Sequence, residues 1–524
     1  MKGFRQRYNE FHMCLRLMIV LLVLGGSVAG CREQTPAPSA KNKPVIILVG
    51  SDLSTLDPQV PFEVDSSYVL GNIFNSLVEF DSSFRLSPGL ARRWTNPDDH
   101  TWRFYLNDQA YFSDGSRLNA SDVKFSIERL KSLKNSDLRG FAEHISEINL
   151  INHQTVDIKT DTPFSILNNL VFIPILSEQH VKTVGDKIGE KPLGTGPYKL
   201  VSHERHKKVK LTLNEHYKPK PEIENVEFVI SGAAEGILNE VLHRRPDISL
   251  ILPLRSIEEF QRVNPPDLEL LRSKGITVEF VTFNLKPSIP GFEKNPLLDI
   301  SLRKALAHGI DRNEIIRTIF SGFGRPASQL VAPEIFGYDA NVHPPEFNPN
   351  EARRLIQAGG YEGLELPLHT LEGGSYRFEN SIIQQWNRIG IKASLRKWKN
   401  EKEMNHALNS GGFAISVSGY VCTSGDAGEL LTFILHTRTD PGSYGKGNYA
   451  RYSNAEVDRM IQENLRVLNV KTRLEMIQRV MRIMNTEIPY LPILIRDDAY
   501  VVSKRIHWIP PVSGDFIIST IRYR

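Results

Sequence analysis

The sequence is poor in cysteine, which argues against a fold held together by disulfide bridges. Three cysteines occur in 524 residues, whereas small secreted domains that depend on disulfides carry many closely spaced ones. Cys14 lies in the first 30 residues, so Cys31 and Cys422 remain in the rest of the chain. A chain of this length exceeds what one hydrophobic core holds. We therefore expect two or three domains, stabilised by buried apolar side chains.

The N-terminal apolar run, "LMIVLLVLGG" from Leu17 to Gly26, is too short for a membrane-spanning helix, which needs roughly 20 apolar residues. Four basic residues and one acidic residue precede the run or lie at its edge, and the small residues of "SVAGC" follow it. A basic start, a short apolar middle and a small-residue exit are typical of a secretory signal peptide, here over residues 1–30. The sequence therefore predicts an exported protein.

The ending "VAGC" resembles a bacterial lipobox, which implies that Cys31 is the first mature residue and the site of lipid attachment. A plain signal peptide with an incidental cysteine is the alternative. Residues 31–43 are polar with two prolines, the composition of a flexible tether. We expect a lipid-anchored protein on the periplasmic side or cell surface. Arg32 replaces the aspartate that retains many Gram-negative lipoproteins in the inner membrane, which favours the outer membrane in such an organism.

No excess of one charge remains once the signal peptide is removed. The chain carries 64 basic and 60 acidic residues, and residues 1–30 hold four and one of these, which leaves 60 against 59. A nucleic-acid-binding domain usually shows clustered lysine and arginine. The mature chain gives no charge argument for a nucleic-acid partner.

Common catalytic motifs are missing from the sequence. It contains no G-x-S-x-G elbow, no H-E-x-x-H helix, no Walker A loop and no cysteine pairs spaced for zinc. We therefore expect a protein that is not an enzyme, with no catalytic residues, no metal and no cofactor.

Strand and helix signals alternate without a strict repeat. "PVIILVGSD" is typical of a buried strand, and "TWRFYLND" and "VKLTLNEHY" alternate as half-buried strands do. Asp311 and Asn348 stand at helix-cap positions, and two consecutive amphipathic helices are predicted after residue 453, with methionines as core residues. The mixture predicts an α/β or mixed α+β protein.

Several segments, in order, resemble the family 5 extracellular solute-binding proteins that serve peptide and nickel importers of the ABC class. They are "STLDPQ", "LSPGLARRW" through "FSDGSRLNASDV", "LGTGPYKL" with "NEHY", "FNLKPSIPG" through "AHGIDRNEII", and "YSNAEVDRMI" with "EIPYLPILIRD". The resemblance covers essentially everything after the tether.

The resemblance implies a bilobed fold of the periplasmic-binding-protein type II class, with an extra subdomain inserted in the first lobe and two hinge strands between the lobes. The boundaries it implies are 44–75 for the first part of lobe I, 76–192 for the inserted subdomain, 193–282 for the second part of lobe I, 283–496 for lobe II, and 497–524 for a C-terminal return to lobe I.

The function implied by the resemblance is capture of oligopeptides or a related small solute by lobe closure, and delivery to an ABC-type permease. The protein would act as a monomer. Two other readings stay open at this point: an exported enzyme that processes cell-wall peptides, and a receptor or assembly protein built on the binding fold.

A loop near residue 420 bears on the ligand. In the peptide binders of this family, a loop after a Gly-Trp pair carries an aspartate that holds the α-ammonium group of the ligand. Here Gly419 and Tyr420 stand at the Gly-Trp position, and the aspartate position falls on Thr423, with Asp426 three residues later. Threonine does not neutralise an ammonium group. Either Asp426 or another acid replaces the aspartate, the ligand is not a peptide with a free amino end, or the alignment is shifted.

Two further places are predicted to contact the ligand. The loop with Phe62, Glu63 and Val64 resembles ligand-contacting sequence, and Glu63 either supplies the missing charge or is a solvated loop residue. Cys422 lies in the same loop as Thr423 and is expected to line the pocket as a small apolar surface rather than as a reactive thiol.

Overall fold

The structure of the chain, a computed structural model, describes residues 43–60, 63–232, 236–439 and 444–524. The predicted signal peptide, the predicted lipidation site Cys31 and the predicted contact Phe62 lie outside the described residues. The strands are β1 (Val45–Val49), β2 (Val78–Phe80), β3 (Leu86–Pro88), β4 (Ala91–Asp98), β5 (Thr101–Leu106), β6 (Ile145–Asn152), β7 (Thr155–Thr160), β8 (Tyr198–Glu204), β9 (Lys208–Leu213), β10 (Asn225–Ile230), β11 (Ile248–Ser249), β12 (Leu268–Phe283), β13 (Gly324–Pro326), β14 (Glu365–Leu371), β15 (Lys392–Trp398), β16 (Ile415–Val421), β17 (Tyr490–Ser503), β18 (Ile506–His507) and β19 (Arg522–Tyr523).

The helices are numbered in the same way. They are α1 (Val64–Leu70), α2 (Ala120–Ser132), α3 (Leu167–Leu170), α4 (Glu178–Val184), α5 (Ile237–Arg244), α6 (Ile257–Val263), α7 (Ile300–His308), α8 (Arg312–Ile319), α9 (Pro349–Gly359), α10 (Arg377–Arg388), α11 (Glu401–Ser410), α12 (Ala427–Leu430), α13 (Ala455–Arg466) and α14 (Val470–Glu487). A π-helical turn over Leu431–Leu435 follows α12 directly.

Several helices begin where their capping side chains predict. Asp311 accepts a hydrogen bond from the Glu314 N–H (2.9 Å) at the start of α8, and Asn348 accepts one from the Glu351 N–H (3.0 Å) at the start of α9. Such side chains satisfy N–H groups that have no partner within the helix. The two consecutive helices predicted after residue 453 are α13 and α14, which is confirmed. Their buried methionines, Met460, Met481 and Met484, confirm the interpretation as core residues.

One large sheet runs through the protein, in the order β15-β14-β16-β12-β17-β11-β1-β10-β9-β8, with β13 added to β17. β1 is parallel to β10 and β11, β14 is parallel to β15 and β16, and the other pairs are antiparallel. β12 and β17 are the longest strands, with 16 and 14 residues, and they pair with each other along most of their length.

Separate hydrophobic clusters lie against the two ends of this sheet. We call the part built around β1 and β8–β11 the first lobe, and the part built around β14–β16 with α7–α14 the second lobe. β12 and β17 belong to both: Leu268 and Val501 are buried in the first lobe, while Phe283 and Leu491 are buried in the second. Two strands thus pass from one hydrophobic core into the other.

A third cluster belongs to a four-stranded antiparallel sheet of order β4-β5-β7-β6, which we call the insert. Helix α2 covers it and buries Val123 and Ile127 against Phe104 and Ile158. The short hairpin β2–β3 reaches from this region toward the second lobe, where Phe84 is buried in the core.

The mixed α/β architecture predicted from the sequence is confirmed. The residue numbers at which the sequence divides the lobes stay a prediction. Within the described residues, no helix is both long enough and apolar enough to cross a membrane.

Candidate functional site

The two long strands lose their regular pairing at the junction of the lobes. Ser273 on β12 pairs with Asp498 on β17, and the next pair is Thr277 with Arg496, so three residues of β12 face one residue of β17. Gly275 lies in this bulge, where an added Cβ would sit 2.3 Å from the Arg496 carbonyl oxygen. Bulges bend a strand and leave residues unpaired. The regular pairing of the two long strands is therefore interrupted at Gly275.

Asp497, the residue opposite the bulge, binds two arginine side chains. Its carboxylate accepts hydrogen bonds from Arg272 Nε (2.7 Å) and Arg325 Nη1 (3.1 Å). Arg325 also donates to the Gly275 carbonyl (3.1 Å) and pairs with Glu334 (2.7 Å). These charge-assisted bonds fix the backbone on both sides of the bulge.

Acidic and aromatic side chains of the first lobe lie beside this junction. We call Glu79, Asp498, Asp515, Tyr68 and Tyr500 the first-lobe wall. Asp498 and Tyr500 are two residues apart on β17 and therefore point to the same face of the strand. The ring of Tyr68 packs edge-on against Phe516, next to Asp515, at a centroid distance of 6.2 Å. Burial raises the pKa of the Tyr68 and Tyr500 phenol groups, and the charges of Asp498 and Asp515 add to the effect.

Surrounding protein raises the pKa of all three carboxyl groups in the first-lobe wall. Burial is the main cause for Glu79, Asp498 and Asp515, and the Asp515 charge adds to the effect on Glu79. Asp515 is nevertheless exposed at the protein surface. A raised carboxyl pKa means that ionisation costs free energy unless a cation arrives.

The second lobe contributes a different set of charges. Glu279 on β12 lies 3.3 Å from Arg496 Nη1, and burial still raises the Glu279 carboxyl pKa. Gly419 of β16 pairs with Glu279, and a Cβ at Gly419 would meet the Glu279 carboxylate at 2.9 Å. The glycine therefore leaves room for a charged group on this face of the sheet.

Tyr420 and Glu429 form a second polar group in this lobe. The Tyr420 hydroxyl donates to Glu429 Oε1 (3.4 Å), and the Tyr420 ring stacks on Phe433 at 6.4 Å. Glu429 is exposed by surface area, yet nearby protein raises its carboxyl pKa through burial. No cation pairs with Glu429 among the described residues. Glu429 thus carries a carboxylate without a cationic partner among the described residues.

The lobes also touch away from the long strands. The rings of Phe80 and Phe84 in the β2–β3 hairpin pack at a tilt, with their centroids 4.5 Å apart, and Phe80 lies 3.2 Å from the position of a Cβ on Gly425. Asn168 of α3 donates to the Ser424 carbonyl (2.6 Å). Glu79 neighbours Phe80, and Glu429 lies four residues after Gly425. The β2–β3 hairpin and α3 thus contact the segment of the second lobe that precedes Glu429.

Within the part of the chain that the structure describes, no three His, Cys, Asp or Glu side chains are arranged so that they could hold a metal ion.

Residues 85–442 match the protein family described as bacterial extracellular solute-binding proteins, family 5 Middle. The chain belongs to this family. Family 5 proteins bind small solutes or peptides outside the cytoplasm and deliver them to an ABC permease. The recognition made from the sequence motifs is confirmed.

Individual relatives of this family 5 protein bind different solutes. The glutathione-binding protein GsiB of Salmonella typhi is 24% identical over 493 residues, which cover 91% of this chain and 94% of GsiB. The structure of HbpA2 from Haemophilus parasuis superimposes with a TM-score of 0.80 at 21% identity, covering 92% of this chain and 100% of HbpA2. The murein tripeptide-binding protein MppA, in an unliganded open form, gives 0.78 at 19% identity, with 91% and 97% covered. The bilobed binding-protein fold is confirmed.

The structure places the predicted ligand residues of this family 5 protein on two elements. Gly419 and Tyr420 lie on β16, and Thr423 is half-buried just after the strand, with its N–H donating to the Val421 carbonyl (3.1 Å). Glu63 and Val64 are exposed at the start of α1, the helix that carries Tyr68 of the first-lobe wall. The structure does not bring these two groups into contact.

The side chains of Asp426 and Cys422 are buried in the protein. The Asp426 carboxylate is buried, forms an ion pair with Arg473 and caps α12 by accepting from the Gly428 N–H (2.8 Å). Cys422 is buried in the second-lobe core, and burial raises its thiol pKa well above the usual value. The contacts of both side chains are with protein.

Sequence reasoning missed Glu429, Asp498 and Asp515. Glu429 belongs to the same "SGDAGE" segment as Asp426, so the sequence shows a second acidic residue there. The sequence does not show that Asp426 pairs with an arginine and Glu429 does not. In "RDDAY" the alternation of Arg496, Asp498 and Tyr500 on one strand face was the available signal.

Proposed function

We propose that this protein is the lipid-anchored binding subunit of an ABC importer and captures peptides or a related solute by closing its two lobes. The observation that carries the proposal is the pair of strands, β12 and β17, shared by both cores and interrupted by a bulge beside uncompensated carboxylates. Family membership supports the permease partner. The anchor rests on Cys31, and with it the exported, membrane-attached location.

Closure of the two lobes explains how the protein would bind a solute tightly. Bending at two shared strands brings the walls together, which removes the ligand from water and strengthens each polar contact. The ligand favours the closed form only to the extent that it binds that form better. The similarity to MppA in its unliganded open form supports an open starting state.

For a peptide ligand, Glu429 is the acid that we assign to the amino end. Thr423 carries no charge, and the Asp426 carboxylate is already paired with Arg473. Glu429 is exposed, belongs to the same segment, and accepts a hydrogen bond from the Tyr420 hydroxyl, with Ser424 beside it and no cation paired with it among the described residues. Glu63, whose carboxylate accepts from Ser66 Oγ (2.9 Å), is the other acid proposed near the ligand.

Native mass spectrometry tests the proposal. The protein is purified without denaturation, its mass is measured, and anything released on denaturation is identified. Recovered short peptides would support the peptide assignment. A released non-peptide solute would keep the importer role and remove the peptide label, while binding to a protein partner with no small molecule would contradict the proposal.

Replacing Glu429 with glutamine is expected to weaken binding of peptides with a free amino end by about tenfold, or about 1.4 kcal/mol. The physical reason is the loss of a charge-assisted hydrogen bond to the ammonium group. Isothermal titration calorimetry with a peptide and its N-acetylated form measures the effect.

Only the peptide with the free amino end should lose affinity in this variant. Glu463→Gln serves as the matched control, since Glu463 pairs with Arg459 on the outer surface of α13. Equal losses for the free and acetylated peptides would remove Glu429 from the amine site.

A further inference from the structure

The insert holds the start of the loop that runs to Glu63. Arg129 of α2 forms an ion pair with Asp57 (2.6 Å) and donates a hydrogen bond to Gln59 Oε1 (2.8 Å). The fully buried Gln59 amide donates in turn to the Ser126 carbonyl of the same helix (2.9 Å). Both residues belong to the "STLDPQ" motif. A charge-assisted pair of this kind, with a further hydrogen bond beside it, attaches the loop firmly to α2.

Helix α3 contacts the second lobe at the turn between β16 and α12. Asn168 Nδ2 donates to the Ser424 carbonyl (2.6 Å), and beside this bond the Phe80 ring lies 3.2 Å from the Cβ position of Gly425. Leu468, in the loop between α13 and α14, packs against the hydrophobic cluster of the insert. Polar and apolar contacts therefore join the insert to the second lobe as well.

One hydrophobic cluster connects the elements that make these two sets of contacts. It contains Ile127 of α2, Leu170 of α3 and Val78 of β2, each at most 1% exposed. Side chains in such a core are closely packed and move little relative to one another. The groups that hold Asp57 and Ser424 therefore belong to one packed unit.

Hydrogen bonds connect Ser424 to Glu429. Ser424 Oγ donates to the Asp426 carbonyl (3.3 Å), and the Glu429 N–H donates to the same oxygen (3.2 Å). Ser424 is only 5% exposed, so water does not readily replace the Asn168 amide at its carbonyl. Loss of the Asn168 donor is therefore expected to loosen the turn that precedes Glu429.

We propose that Asn168 is a positioning residue for ligand binding. Through Ser424 it holds the turn before Glu429 at a fixed place relative to the loop that begins at Asp57. This inference rests on the proposed binding function and makes the insert the common support of the two predicted ligand segments, one from each side of the protein. The affinity for a free amino end then depends on a side chain that acts through the turn and does not itself bind the ligand.

Calorimetry with trialanine and N-acetyl-trialanine tests this role. Asn168→Ala is expected to weaken the binding of trialanine about fivefold, the order expected for one lost hydrogen bond, and to leave the binding of the acetylated form unchanged. Asn169→Ala is the matched control on the same helix, because the Asn169 amide donates to the Phe141 carbonyl within the insert (3.3 Å). The control should bind both ligands as the unmodified protein does.

A double-mutant cycle shows whether Asn168 acts through Glu429. In the Glu429→Gln protein, Asn168→Ala should weaken the binding of trialanine no further. Full additivity of the two changes, an unchanged affinity in Asn168→Ala, or equal losses for both ligands would overturn the inference while leaving the binding function intact. Failure of the unmodified protein to bind either ligand would count against the proposed peptide function and against this inference with it.

Thermal unfolding and a conservative variant separate positioning from a general loss of structure. The melting temperature of unliganded Asn168→Ala should stay within about 2 °C of that of the unmodified protein, since one hydrogen bond is a small part of the stability of so long a chain. Asn168→Gln keeps an amide donor and should recover part of the affinity for trialanine. A much lower melting temperature together with weaker binding of both ligands would indicate a structural role and contradict the proposal.

Discussion

Replacing Arg473 with alanine is expected to lower the free energy of unfolding by about 3–5 kcal/mol, because the buried Asp426 carboxylate loses its cation. The two side chains are 13% and 9% exposed, so water replaces little of the lost interaction. The Arg473 guanidinium also lies 5.4 Å from the centre of the Phe336 ring, and that contact disappears as well. Urea unfolding measures the change in the transition that contains the second lobe.

The matched control for this prediction is Arg459→Ala on the neighbouring helix. Arg459 and Glu463 form an ion pair at 3.1 Å, but both are largely exposed, so the expected change is within about 0.5 kcal/mol. The double variant Asp426→Asn, Arg473→Met should recover part of the stability lost in Arg473→Ala, since no isolated charge then remains buried. A loss in Arg473→Ala no larger than in the control would show that this ion pair does not stabilise the lobe.

The Asp426–Arg473 ion pair also bears on which acid, Asp426 or Glu429, binds the amino end of a peptide. If Asp426 only supports the fold, Asp426→Asn should lower stability and leave the affinity of the folded protein for peptides unchanged. If that variant loses the preference for a free amino end while Glu429→Gln retains it, the assignment passes from Glu429 to Asp426.

Gly275→Val is expected to lower the free energy of unfolding by about 3 kcal/mol and to change the angle between the lobes. An added Cβ would lie 2.3 Å from the Arg496 carbonyl oxygen and 3.2 Å from the Asp498 carboxylate. The first of these atoms is backbone, so the two strands must move apart to accommodate the side chain. Urea unfolding reports the stability, and small-angle X-ray scattering with and without ligand reports the lobe angle.

Gly140→Val provides the control, because an added Cβ at Gly140 meets nothing within 4 Å. A valine there should change neither stability nor scattering appreciably. If Gly275→Val keeps both its stability and its ligand-induced change in scattering, the bulge is not the bending point, and the proposal of closure at Gly275 fails.

The parts of the fold that could be predicted from the sequence are those determined by interactions between residues close together in the chain. Asp311 and Asn348 start helices because their side chains reach the N–H group three residues later, a distance fixed by the chain itself. Strands such as β1 and β5 were visible because burial imposes its pattern on consecutive residues. The order of motifs then gave the family, and with it the arrangement of lobes.

The candidate site depends on contacts between residues far apart in sequence. Most of its residues were therefore not predicted. Asp426 is paired because Arg473, 47 residues later, packs against it, and nothing in the loop itself shows this. Asp515 gains its neighbours from the return of the C-terminal segment to Tyr68. Glu429 could be assigned a role only after Asp426 was found to be occupied.

The packing of Phe84 into the second-lobe core constrains the mechanics of lobe movement. A rigid rotation leaves unmoved only the points that lie on its axis. If the Phe84 contact and the Gly275 bulge both persist when the lobes close, the axis must pass close to both, along the line that joins them. Side chains close to this line would then travel through short arcs, whereas side chains on the rims of the lobes would sweep through the longest ones.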